Sequence, residues 1–374
     1  MEMKVKDINR AIEEIMPKQL RMDGDPNGIL VGDPNSEVTN ILLSLNVTEE
    51  VVDEAIEKRS QLIVSHHPLF FSPMKKMVKG DYYSDIIMKM IKHNISFIAH
   101  HTNFDIVDDG VSSAFAKKLN LKNLKPLVPL SHLKKGKFIE NYKLVVYLPK
   151  GYESKIKDTI TKGGGGSIGE YDYCFFQSEG LGSFRGGENS DPFIGDKGKI
   201  SEVDEIKIET IVPAWKIENC LNKIKEVHPY EEVAYDLIPM EIESNRYGLG
   251  IVGDLKECEE FKNIAKKIKD IIGVEKLRAG IVENQKPIKK IAIIGGSGGK
   301  YVSYAISQNI DLVISSEISH HTFLEAKNKI NIIDITHHSS EKFAIEKLSD
   351  YLKHKFQNIN VLISELDMDP ISEI

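Results

Sequence analysis

Eight of the twelve histidines stand in four adjacent pairs: His66-His67, His100-His101, His320-His321 and His337-His338. Each pair closes an apolar run, QLIVSHH, ISFIAHH, DLVISSEISHH and NIIDITHH, and carboxylates follow closely, Asp105 four residues past His101 and Glu341 four past His337. Neutral imidazole together with carboxylate is the donor set that borderline divalent metals take. One histidine at a strand end is more often a hydrogen-bonded structural residue than a ligand. Four pairs, two of them with a carboxylate at short spacing, argue for a metal centre.

Side chains alternate along a strand, so neighbouring histidines do not chelate one ion from a regular strand. His66 and His67, where the strand breaks before Pro68, more easily reach two different ions. His337 and Glu341 share one face if a helical turn begins there, and Asp105, after its strand, is free to bridge. A centre of two divalent ions held by His66, His67, Asp105, His337 and Glu341 is the economical expectation. Zn, Fe, Mn and Ni all suit these ligands. Such a pair lowers the pKa of water towards neutrality and polarises an electrophile, which is hydrolytic chemistry; phosphoester hydrolysis would use the same ions.

Positioning these residues requires an α/β framework. ILLSLNV, QLIVSHH and ISFIAHH read as strands alternating with the helices TEEVVDEAIEK, capped by Thr48, SDIIMKMIKHN, with Ser84 as expected cap, and VSSAFAKKLNL. The same alternation returns in KKIAIIGG, DLVISS, NIIDITHH and SSEKFAIEKLSDYLKHKF, which predicts largely parallel sheets with ligands beyond their carboxyl ends. Between the halves, KLVVYLP, a glycine run at 163–166, KIETIVP, a helix over 215–227 and HPYEEVAYDLIPM suggest an α+β insertion of ferredoxin-like type. The expected division is 1–132 and 245–374 for the split α/β domain, with mixed or parallel sheets, and 138–241 for the insertion.

Composition narrows the class. A chain of 374 residues at net charge −7 offers no broad basic surface for nucleic acid or membrane. Without an apolar leader or a run of membrane-spanning length, a soluble cytoplasmic protein is expected. Cys174, Cys220 and Cys258 lack CxxC spacing and read as buried small fillers. IGGSGGKY (294–301) fails as a Walker A loop, having Ile294 and Tyr301 where Gly and Ser or Thr are required. A tight glycine turn is favoured over an anion cradle there, and Gly163–Gly166 reads as a flexible hairpin.

SHHP (65–68), HTNFD (101–105), GGSG (295–298) and HHSSE (337–341), in this order in a split α/β domain, resemble the dinuclear-metal-centre family of type 2 GTP cyclohydrolase I homologues. The middle segment, with HPYEEVAYDL, is similar to the PII-like insertion of its longer members. The resemblance implies that His66, His67, Asp105, His337 and Glu341 are ligands, with Asp105 and Glu341 bridging, in a homohexameric ring. It also implies a small-molecule substrate, GTP, with water attacking C8 of the guanine and formate leaving. Thr336 and His338 replace the glycine and aromatic usual around the last ligand histidine, though only His337 keeps the four-residue step to Glu341. His101 matches the HTN motif, where a catalytic role, through Asp105 or substrate, stands beside a structural one. His321, with Glu317, is a candidate proton shuttle or a structural residue; His100 and His320 read as structural. A metal-dependent phosphoesterase or nucleotide hydrolase, and a non-catalytic ring-forming metal-binding scaffold whose insert senses an effector, are the alternatives.

Overall fold

The computed structural model describes residues 2–134, 138–241, 246–283 and 286–371. Contacts divide the chain into two compact units, one of Met1–Lys135 with Asn245–Ile374 and one of Gly136–Ser244. The expected start of the second half at 245 lies outside the described residues.

The first unit holds two mixed sheets. One has strand order Gly28–Val31, Ser96–Ala99, Leu62–Ser65, Asn40–Ser44 and Asn360–Ile363, parallel except for the antiparallel edge Gly28–Val31. Leu62–Ser65 and Ser96–Ala99 are buried at every position, as strands covered on both faces must be, which is why they read as unbroken apolar runs. The other runs Arg278–Gly280, Asn331–Ile335, Leu312–Ser316, Ile288–Ser297, Gly248–Glu259 and Lys122–Pro129. Its three central strands are parallel and the outer ones antiparallel.

The sequence halves exchange elements. Asn360–Ile363, late in the chain, pairs with Asn40–Ser44, while Lys122–Pro129 of the first half pairs with Gly248–Glu259. The helix Val111–Lys118 packs on Phe343–Lys355, where Phe115 meets Phe343 with ring centroids 5.4 Å apart. Phe115 is fully buried, so truncating it to Ala would cost about 3–5 kcal/mol.

The second unit runs Asn141–Pro149, helix Glu153–Gly163, Phe176–Arg185, Ile200–Pro213, helix Ile217–Val227 and Tyr235–Met240. Its sheet is antiparallel throughout, with the first strand between the third and fourth. Both helices close on a core of Leu144, Val146, Ile156, Ile160, Ile208, Cys220 and Ile224.

Three local expectations are corrected. Asp81, not Ser84, caps the helix Tyr82–Lys92: its Oδ2 accepts from the Ser84 N–H at 3.2 Å and hydroxyl at 2.8 Å. The glycines at 163–166 do not form a hairpin. Gly163 ends a helix, where a Cβ would stand 2.6 Å from Cys220 Sγ, and Gly164 is its left-handed cap at φ +96°. Of the cysteines only Cys220 is buried; Cys258 is exposed and Cys174 intermediate, because Cys258 lies on the ragged end of a strand whose register shifts between Asp254 and Glu259. Among the described residues, no helix is long and apolar enough to cross a membrane.

Candidate metal centre

The carboxyl ends of the two sheets of the first unit supply one cluster. The strand Leu62–Ser65 stops before His66 and His67, so the pair lies on irregular backbone and both rings turn to the same side, with centroids 4.8 Å apart. Beyond Ser96–Ala99, the short helix Thr102–Ile106 delivers Asp105. Beyond Asn331–Ile335, Thr336 caps a helical turn, its hydroxyl accepting from the Ser339 N–H at 3.2 Å. The turn therefore begins at His337, and His337 and Glu341 project from one face with Nε2 and Oε1 3.3 Å apart. A capping threonine accounts physically for the residue standing at 336.

Three triads have ligand atoms within 4.8 Å of one another: His66, His67 and His101; His67, His337 and Glu341; and His66, Asp105 and Glu341. Glu341 Oε2 lies 3.1 Å from His67 Nε2, while Oε1 lies 3.8 Å from His66 Nε2. Asp105 Oδ1 lies 3.7 Å from His66 Nε2. Glu341 is the carboxylate shared between triads; Asp105 belongs to one.

The rings are all held from behind. Nδ1 of His66 faces the His100 carbonyl at 3.1 Å, of His67 the Asn46 Oδ1 at 2.8 Å, of His101 the Asp25 Oδ1 at 2.7 Å and of His337 the Glu317 Oε1 at 3.0 Å. An oxygen acceptor at Nδ1 keeps the proton there and leaves Nε2 as a lone pair. At His66, His67 and His337 that Nε2 faces carboxylate oxygens: a lone pair there sets acceptor against acceptor, and only a second proton or a cation relieves it. Buried His66 Nε2, Asp105 Oδ1 and Glu341 Oε2 have no hydrogen-bond partner. Unpaired buried carboxylates cost several kcal/mol each, and a cation between them and the imidazoles removes that cost. The donor set fits divalent metal.

The electrostatics follow. Burial pushes the His66 imidazole down to about 3, so it stays neutral. Burial and the neighbouring Glu341 charge raise the Asp105 carboxyl. Burial works against Glu341 too, but His337, His66 and His67 hold it below the usual carboxylate range. The Glu341 hydrogen bond lifts His337 to about 9.

The remaining candidates separate. His101 joins the cluster through its triad. His338 turns away, with Nε2 3.2 Å from the Asp367 carbonyl. His100 is buried among Asn103, Asn27 and Asn9. His320 and His321 are exposed on the helix His320–Ala326, outside the three triads. Asp25, Asn46, Asp367 and Gly296 escaped sequence reasoning. Asp25 and Asp367 lie in turns or tails without periodicity, and Asn46 falls in ILLSLNV, read as strand throughout, where the observed strand ends at Ser44. Gly296 was visible only as part of a glycine cluster: at φ +66°, a Cβ there would meet Glu341 Oε1 at 2.6 Å and His337 Nε2 at 3.1 Å. The Gly295 and Gly296 N–H groups are taken by the hydroxyls of Ser112 and Ser340, so they cradle no anion.

Comparison with known proteins agrees with this framework. A protein of Halalkalibacterium halodurans named GTP cyclohydrolase 1 type 2 homolog is 37% identical over 372 residues, 98% of this chain and 97% of the relative. The crystal structure of a Bacillus cereus protein related to NIF3 superposes with TM-score 0.87 at 32% identity, covering 100% of both chains. A Staphylococcus aureus structure gives TM-score 0.73 at 34% identity over 100% of this chain and 99% of that one. The model of the family described as Duf34/NIF3 (NGG1p interacting factor 3) matches residues 3–370, a span that takes in every residue of the cluster, and the chain belongs to that family.

Proposed function

We propose that this protein is a dinuclear-metal hydrolase of the cytoplasm whose substrate is a purine nucleotide, GTP in the first instance. The observation that carries the metal reading is the set of four imidazoles tied at Nδ1, three of which meet the carboxylates of Asp105 and Glu341 through Nε2 while His101 gathers with His66 and His67. His67, His337 and Glu341 would hold one ion and His66, Asp105 and Glu341 the other, with His101 beside His66 and His67. Bound there, the ions lower the pKa of water and polarise the electrophile.

The chain's own residues do the rest. Asp25, Asn46, Glu317 and the His100 carbonyl fix the ring orientations. His66 and Glu341 close the inner end against solvent, while His337, with its side chain 32% exposed, marks the open side. Phe71 is 60% exposed and packs edge-on against His101 at 5.5 Å, offering an aromatic face on which a purine can stack. Guanine enters this reading through the name its relatives carry. The second unit's strand–helix–strand–strand–helix–strand order supports a ferredoxin-like, PII-like insert. Its exposed edge strand, with Phe176 and Leu181 about two-thirds bare, suits the packing of copies in a homohexameric ring.

Metal content of purified wild type and Asp105→Ala, measured beside formate release from GTP, tests the proposal. Two ions per chain with GTP turnover, both lost in the variant, are expected. Ions with turnover only of phosphoesters point to a phosphohydrolase, ions with no turnover to a scaffold, and no bound metal overturns the reading. His321→Ala tests proton transfer: a shuttle loses rate with metal retained.

A further inference from the structure

We infer that Asp367 is a positioning residue for the metal centre: through the Asn46 amide it sets which way His67 is protonated and so the affinity of the ion that His67, His337 and Glu341 hold. The inference rests on the metal reading above and extends it to a residue outside the ligand set.

Asn46 Oδ1 accepts from His67 Nδ1 at 2.8 Å, while Asn46 Nδ2 donates to Asp367 Oδ1 at 3.0 Å. A primary amide has an acceptor end and a donor end of nearly equal size, and what it bonds decides which faces where. A carboxylate accepts only, so Asp367 draws the NH2 and leaves the oxygen for His67. That oxygen requires the proton on Nδ1 and the lone pair on Nε2, the atom facing Glu341 Oε2 at 3.1 Å. Were the amide to turn over, its NH2 would require a lone pair at Nδ1, the proton would move to Nε2, and His67 would no longer be a ligand.

The placement of Asp367 is built in. Its carboxylate also accepts from the backbone N–H groups of Leu45 and Asn46. Its own N–H donates to Ser364 Oγ at 3.1 Å. Ser364 and the Glu365 N–H are in turn bound by Glu54, a carboxylate only 3% exposed on the helix Glu49–Glu57 and paired with Lys58 at 2.6 Å. The same segment holds His338, neighbour of His337, through the Asp367 carbonyl.

The test is titration of the metal-free full chain with Co2+, read by its d–d absorption, and with Zn2+ against a chromophoric chelator, with thermal denaturation recorded alongside. Asp367→Ala and Asn46→Ala should each weaken one ion about 10–100-fold, the usual range for loss of a ligand's outer hydrogen-bond partner, and leave the other near its wild-type affinity. The double variant Asn46→Asp/Asp367→Ala should regain most of that affinity, because either oxygen of a carboxylate accepts from Nδ1 and needs no orienting. A merely structural Asp367 would lower the melting temperature without this rescue. Wild type that binds Co2+ beside an Asp367→Ala that binds both ions equally well overturns this inference alone. Wild type that binds none overturns the metal centre with it. If Asp367→Ala does not fold, the near-isosteric Asp367→Asn decides: its amide can meet either end of Asn46, so weakening of one ion supports the inference and wild-type affinity for both overturns it.

Discussion

His66 in the first unit and His228 in the second are both buried, and burial pushes both imidazoles below their ordinary range. They differ in the second ring nitrogen. His228 Nε2 donates to the Tyr147 carbonyl at 3.0 Å and its Nδ1 accepts from the Tyr230 N–H at 3.1 Å, so the ring is a strut between two backbone segments. His66 has one such tie, to the His100 carbonyl, and an unpartnered Nε2 between two carboxylates. Neither burial nor proton affinity tells a ligand from a brace. Between these two rings the count of satisfied nitrogens does.

The strongest way to break this contrast is Glu341→Gln, which removes the negative charge shared by two triads. Metal analysis should find both ions weakened by more than about 100-fold, beyond the effect of losing an outer partner; full occupancy would make the unpartnered nitrogens a packing accident. Gly296→Ala comes next. Its methyl must enter space held by Glu341 and His337, and the left-handed backbone adds about 1–2 kcal/mol of strain. Chelator competition should show weaker binding beyond what the fall in melting temperature explains.

His228→Ala sharpens the other side. It strands a carbonyl and an N–H, so urea denaturation should show a loss of about 1–3 kcal/mol with metal content unchanged, the reverse of the pattern expected for His66→Ala. Thr336→Ala should cost about 1 kcal/mol through the lost cap and weaken metal slightly. The smallest effect is in pH. The folded pKa of His228 lies below that of the unfolded chain, so the unfolded state takes up the proton first. The stabilising contribution is complete above the unfolded value near 6.5 and falls as pH drops below it. The wild-type minus His228→Gln stability difference should therefore shrink on acidification, and a difference independent of pH would count against the buried neutral ring.

The alternation of buried strands with capped helices was legible because hydrophobic period and cap chemistry are local. His66, His67, Asp105, His337 and Glu341 were legible as a set because they close strands at readable spacing. What periodicity cannot see is reach across the chain. Asp25 meets His101 and Asp367 meets Asn46 through contacts that only the assembled sheets create. His101 illustrates the limit: its match to the HTN motif suggested a helper of Asp105 or a structural residue, while in the fold Asp25 stands behind its Nδ1 and its ring gathers with His66 and His67. Asp81 displaced Ser84 as a cap because the helix starts one turn earlier than its apolar pattern, and Gly163–Gly166 needed the partner helix to reveal a close approach.

The pairing of Asn360–Ile363 with Asn40–Ser44 has a bearing on biosynthesis. During translation His66, His67, His101 and Asp105 emerge early, and the whole second unit is made before Glu341, Asp367 and the strand that seats Asp367 leave the ribosome. Closing so long a loop is slow compared with forming local helices. Until then the early histidines form only part of the cluster, so the full donor set exists only after synthesis has passed Asp367.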